Sequence, residues 1–214
     1  MINVVRGVIN EVINMDAPRE QVCRSWAKFL NPESLRSNLI AASIFLAAYE
    51  TLRASVIDRI RDFFTYEFDE TGGVVSEDYR NKVLSLDKSP LRASLLWLKE
   101  MSAIGNAEIE LVNDIRKHRN DLAHDLPKFL TTADAEININ LLAAMYELVT
   151  KIDRWWIKEV HIPVNSDFDG QEVADADIQS GTMIFIQMML RIATGEDSSV
   201  FWNEFQKQAG NFSD

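Results

Sequence analysis

One cysteine, three histidines, five prolines and eight glycines in 214 residues exclude several common designs. A lone Cys23 cannot form an intramolecular disulfide and suits a reducing compartment. It lies in an apolar-patterned helix, and the expectation is a small buried hydrophobe. Three histidines with no His-x3-His and no Cys-x2-Cys supply no transition-metal ligand set, so no transition-metal site is expected. So few glycines and prolines speak against a turn-rich β protein and for long helices. Positive charge is also short: 22 Lys and Arg stand against 33 Asp and Glu, a net charge of −11. That argues against a general nucleic-acid coat protein, because phosphate binding runs on Lys and Arg. It leaves room for a small basic site. The longest apolar run, Leu39 to Tyr49, is too short to span a bilayer. The N-terminus has no basic region followed by an unbroken apolar stretch. The chain therefore reads as cytoplasmic, with no membrane partner.

What is present is helical periodicity and 47% hydrophobic residues, enough for a proper core. Ile2, Val4, Val5, Val8, Ile9, Val12 and Ile13 mark an amphipathic helix over 2–14. Asp16 and Pro18 start a second, carrying Val22, Trp26 and Phe29–Leu30. Asn31-Pro32-Glu33 repeats the start signal: cap, proline, acid in the first turn. From there Leu35, Leu39, Ala42, Leu46, Tyr49, Val56, Ile60 and Phe63 recur at threes and fours, predicting a spine helix of about 30 residues. Gly72-Gly73 breaks the pattern, and Ser76-Glu77-Asp78 caps a short helix ending near Leu86. Ser89-Pro90 opens a helix that Gly105-Asn106 closes. The spacing then predicts a helix that stops at or just after His124, because Pro127 pushes Leu126 out of the α region. Thr131-Thr132-Ala133-Asp134 resembles a capping box before a long helix from about Ala135 to Val160. Its buried side is Ile137, Leu141, Ala144, Leu148, Ile152 and Trp155–Trp156. An acidic loop over 165–180 precedes two last helices, Ile178 to Ile192 and Ser198 to Gln208. No repeat and no β-type alternation is evident. The expected fold is all-α: a helical bundle over 33–162, an N-terminal helical extension over 1–32, and the acidic loop and C-terminal helices over 163–214 packed on it.

Chemistry concentrates at the end of the helix before Pro127. Arg116-Lys117-His118-Arg119 is the densest basic run in the chain, and Asn120 and His124 follow it. With Leu111 at the centre of the buried side, Asn113, Arg116, Asn120 and His124 fall on the far face and Arg119 between the faces. Positions four apart point the same way, so Asn120 and His124 can share one site. Arg119, five from His124, reaches it by length, by a helix break, or from a second copy across a two-fold axis. His118 shares the stripe of Leu111, Ile115 and Leu122 and reads as a packed histidine. The spine's Glu50 reads as an ordinary surface residue, with a site carboxylate as the alternative.

The stretch Arg119-Asn120-Asp121-Leu122-Ala123-His124 resembles the arginine-to-histidine motif of the HEPN superfamily, small all-α domains in which four to six residues separate the two. Many members are metal-independent endoribonucleases of toxin–antitoxin, abortive-infection and other phage-defence systems. The family favours a polar residue after the arginine, as Asn120 is here, and a long helix well upstream. The resemblance implies a homodimeric ribonuclease. Its catalytic residues would be Arg119, Asn120 and His124, with Arg116 and Lys117 binding the RNA substrate, no metal or cofactor, and an antitoxin or other regulator as a possible partner. Some HEPN toxins carry a modifiable tyrosine two residues beyond the histidine; the residue here is Leu126, so that regulation is not carried over.

Each candidate has a plainer alternative. His124 can be a C-terminal helix cap, with Arg119 paired to Asp121 or Glu108 on the surface, in a catalytically silent module that binds a nucleotide or another protein. Asn165-Ser166-Asp167-Phe168-Asp169-Gly170 matches the first half of a calcium-binding EF-hand loop, but Ala176 stands where a bidentate glutamate is required. The loop is read as a solvated acidic linker. Trp155 and Trp156 are adjacent and cannot both face one core, so one is expected to be partly exposed.

Overall fold

The computed structural model describes residues 19–69, 72–168, 171 and 173–210. The helix expected over 2–14 lies outside them. The described chain is an all-α bundle with one small hairpin.

Helix α1 (Arg19–Leu30) turns at Asn31 into α2 (Pro32–Phe63), the spine. The start signal works as expected: the Asn31 side chain accepts from the backbone N–H groups of Glu33 and Ser34, and Pro32 opens the helix without needing a donor. The spine packs against α1 and against five later helices. These are α4 (Pro90–Glu100), α5 (Asn106–His124), α6 (Leu126–Thr131), α7 (Ile139–Trp156) and α8 (Gly181–Ala193). Its Phe45, Ala48, Val56 and Ile60 are fully enclosed. By length and apolar composition alone α2 could cross a membrane. In the bundle its Ala42, Phe45, Leu52, Val56 and Ile60 are buried, while Leu39, Ile40 and Phe63 are exposed.

Four sequence expectations are corrected. First, Thr65–Asp69 (β1) and Gly72–Val75 (β2) form an antiparallel hairpin with a register shift between Thr65 and Glu67. Tyr66 and Phe68 alternate on one strand, a period-two signal that the helical pattern before it obscured. Gly73 faces Phe68, and a Cβ there would meet the Thr65 methyl at 3.0 Å, so the pairing is tight enough to favour glycine. The short helix α3 (Glu77–Tyr79) follows and widens at once into a π turn over Arg80–Leu84.

Second, Leu126 is helical rather than pushed out of the α region by Pro127: the break after α5 falls at Asp125, and Leu126 opens α6 (Leu126–Thr131) with Pro127 in its first turn. There the proline's missing N–H costs nothing. Third, α7 starts at Ile139 under an Asn138 cap, not near Ala135 under a threonine. The preceding backbone is already bonded to side chains of other helices. Lys28 of α1 donates to the carbonyls of Thr132 and Ala135, Ser25 accepts from the Ala133 N–H, and His118 of α5 accepts from the Asn138 N–H. Those bonds hold an extended connector where local sequence suggested helix. The buried side of α7 is consequently Leu142, Met145, Leu148, Val149, Ile152 and Trp156. Fourth, Cys23 is exposed rather than buried; α1 packs against α2 and α6.

An aromatic cluster closes the end of the bundle away from the α1 connector. Trp97 stacks on Trp156 at 6.1 Å between centroids, while Trp155 meets both edge-on and stays partly exposed. Beneath it lies the one fully buried charged side chain among the described residues, Asp153. Asp153 pairs with Arg59 of α2 and accepts from the Ser180 hydroxyl. The same Ser180 oxygen accepts from the Met183 N–H at 3.1 Å and so caps α8. One buried carboxylate therefore ties α2, α7 and the start of α8 together. Ile186 and Met189 of α8 join the common core, whereas α9 (Ser199–Gly210) leaves Trp202 and Phe205 exposed.

Candidate functional site

Helix α5 carries the basic run and ends at His124. Its first turn is held by Glu108, whose carboxylate accepts from the Gly105 N–H at 2.8 Å and pairs with Lys151 of α7. The lysine's hydrogen bond, aided by the Gly105 N–H, outweighs burial and holds the Glu108 carboxyl below the usual carboxylate range.

The buried stripe of α5 is Ile109, Val112, Ile115 and Leu122. Leu111 is only partly buried, so the true centre of the face lies to one side of it. The correction matters for Arg119, which sits four residues after Ile115 and three before Leu122 and therefore points inward at α2. Its side chain is 33% exposed. Nη2 donates to Glu50 Oε1 at 2.9 Å, Nη1 approaches Asn120 Oδ1 at 3.4 Å, and the guanidinium lies over the Tyr49 ring at 5.3 Å. Its Nε is buried without a hydrogen-bond partner. The arginine is thus held on three sides, and neither Asp121 nor Glu108 is its partner.

Glu50 is exposed, as expected of a surface residue, and in addition meets Arg119 across the packing of α5 on α2. The other carboxylate oxygen, Oε2, accepts from Arg53 Nη1 at 3.5 Å, so one acid stands between two guanidinium groups. Nothing local in α2 singles Glu50 out among exposed spine acids. The one legible signal is the Glu50–Arg53 spacing, which is common on helix surfaces.

Arg116, Lys117, Asn120 and His124 are exposed. Among the described residues no ion pair engages Arg116, Lys117 or His124 within 4.0 Å. No hydrogen bond joins Arg119 to His124. The structure gathers Arg119, Asn120, Glu50 and Arg53 and leaves His124 just beyond them at the open end of the same helix.

His118 is a packed histidine. Its ring meets Phe45 at 4.9 Å and Phe129 at 5.6 Å, both edge to face, and Nε2 accepts from the Asn138 N–H at 3.1 Å. Burial pushes its pKa down, and Asp121 only partly opposes that. A neutral ring with Nε2 as acceptor is what that hydrogen bond requires.

Four of the six residues of the EF-hand-like stretch are described: Asn165 Oδ1 accepts from the Asp167 N–H at 3.0 Å, an ordinary Asx turn, and residues 169 and 170 lie outside the described residues. Among the described residues no group of three or more His, Cys, Asp or Glu is placed to hold a metal ion. No protein-family model, curated protein or solved structure matches the chain.

Proposed function

We propose that the chain is a cytoplasmic, metal-independent endoribonuclease of toxin or phage-defence type, similar to HEPN ribonucleases and acting as a homodimer. One observation carries the reading most: Arg119, the arginine of the motif, is oriented by Glu50, Asn120 and the Tyr49 ring, and a third of it still faces solvent.

In this reading the substrate's 2′-hydroxyl attacks the adjacent phosphorus. The new bond joins phosphorus to the 2′-oxygen, the bond to the 5′-oxygen breaks, and the leaving oxygen takes up a proton. His124, exposed at the end of α5, moves these protons, its imidazole being able to both accept and donate one. Arg119 stabilises the charge gathering on the phosphoryl oxygens, for which its planar, permanently charged fork is suited. Asn120 orients the phosphate or His124, and Arg116 and Lys117 bind flanking phosphates. His124 stands five positions after Arg119, so they point to different sides of α5. A two-fold contact at the end of α5 would bring one protomer's histidine towards its partner's arginine.

The second reading is a catalytically silent HEPN-like module that binds a nucleotide or a protein. The net charge of −11 favours it; the exposure of His124 favours the first.

The test is incubation of the purified protein with assorted RNAs in EDTA, beside His124→Ala and Arg119→Ala. Cleavage should persist without metal and leave 2′,3′-cyclic phosphate or 3′-phosphate ends, and DNA should be inert. Removal of His124 should slow it by roughly 10²–10⁴-fold. Arg119→Lys should rescue little, because an ammonium cannot reproduce the fork. Activity that needed magnesium, or survived both substitutions, would put the silent module ahead. The dimer is checked by light scattering; a monomer at micromolar concentration would defeat it.

A further inference from the structure

Glu50 holds two arginines unequally. Its bond to Arg119 is 2.9 Å and reaches a side chain 33% exposed, whereas its contact with Arg53 is 3.5 Å between side chains about half exposed. A 3.5 Å contact in open solvent is at the limit of a hydrogen bond and contributes little. Arg119 is therefore pinned, and Arg53 is free to take another acceptor. The three residues sum to one positive charge, and exposed Arg116 lies one turn before Arg119. In a protein of net charge −11, two guanidinium groups meeting at one acid form a local positive spot.

We propose that Arg53 is a further RNA-binding residue, and that Arg119 and Arg53, joined through Glu50, form a paired-guanidinium seat for neighbouring phosphodiesters of one RNA strand. The proposal rests on the ribonuclease reading above. The two groups sit on facing helices, α5 and α2, so the seat exists only where those helices pack. Arg119 takes the phosphate under attack, because its orientation is set from three sides. Arg53 takes a neighbouring phosphate, because four of its five N–H donors are uncommitted among the described residues. Glu50 is a positioning residue: it keeps the two cations together and contacts no substrate itself.

The experiment measures binding of a short 2′-O-methyl oligoribonucleotide, which cannot be cut by this chemistry, over a range of salt concentrations. Each phosphate contact contributes about 0.7 to the slope of log affinity against log salt on a single strand. Arg53→Ala should flatten the slope by about that amount, with an unchanged melting temperature. Arg53→Lys should keep the slope, since one charge still meets one phosphate. Arg92→Ala, which removes an exposed arginine of α4 paired with Asp87, is the control and should match the wild type. Wild-type binding with the same slope in Arg53→Ala would overturn the seat and leave the ribonuclease reading intact. An Arg53→Lys slope as flat as that of Arg53→Ala would overturn it too, because charge would then not be what binds. A wild type that does not bind the oligonucleotide at low salt would overturn both.

Discussion

Replacing Asp153 with leucine should be among the most damaging single changes in the bundle. Asp153 is fully buried, and its two oxygens serve Arg59 and Ser180. Removing the acid leaves the Arg59 guanidinium beside the aromatic cluster without its counter-ion and deprives the Ser180 hydroxyl of its acceptor. Breaking one side of a buried pair costs about 3–5 kcal/mol. The Arg59 side chain is 25% exposed and can recover some hydration, which points to the lower half of that range. For a chain of this length, about 3–5 kcal/mol corresponds to roughly 6–20 °C in melting temperature. The companion experiment replaces both partners, Arg59→Met with Asp153→Leu. Methionine keeps an apolar stem near the Trp156 ring, over which the Arg59 guanidinium lies at 5.5 Å, and removes the stranded charge. The double variant should be clearly more stable than the single one, since a buried pair replaced by apolar residues is often neutral or better. Urea titration followed by tryptophan fluorescence reads both, because Trp97, Trp155 and Trp156 cluster beside the pair. A single variant within about 1 kcal/mol of the wild type would refute the argument. So would a double variant no better than the single one.

The remaining predictions concern α5 and its connector. Leu122→Ala removes a fully enclosed side chain and should cost about 2–5 kcal/mol, while His124→Ala, two residues on and exposed, should stay within about 0.5 kcal/mol; equal melting points would show that the faces of α5 are misassigned. Asn138→Ala removes the cap of α7 and should cost about 1 kcal/mol, read in the same urea titration, with no loss indicating that Asn138 Oδ1 does not bond the Leu141 N–H. Burial lowers the folded pKa of His118 from 6.5, so the unfolded chain binds its proton first as pH falls. That stabilising contribution is complete above about pH 6.5 and is lost as pH drops towards the folded value. Wild type should therefore lose stability between pH 7 and 5 faster than His118→Gln, which keeps an acceptor and does not titrate; parallel pH profiles would contradict the packed neutral ring.

The all-α class, the spine and the limits of α5 could all be read locally. Asn31 with Pro32 starts a helix through contacts within four residues, and a stripe at threes and fours needs only the helical repeat. The motif Arg119, Asn120 and His124 was visible for the same reason, being six consecutive residues. What local sequence could not supply was the partner of each element. The connector before α7 stays extended because Lys28, more than a hundred residues earlier, bonds its carbonyls. Cys23 lies on an exposed face of α1, which the apolar pattern within α1 alone did not show. Arg119 turns inward because the packing of α5 on α2 centres its buried face away from Leu111, and that rotation also brings Glu50 and Arg53 to the motif. A helical repeat sets which residues share a face. Only the neighbouring helix decides which face is buried, and so which acid an arginine meets.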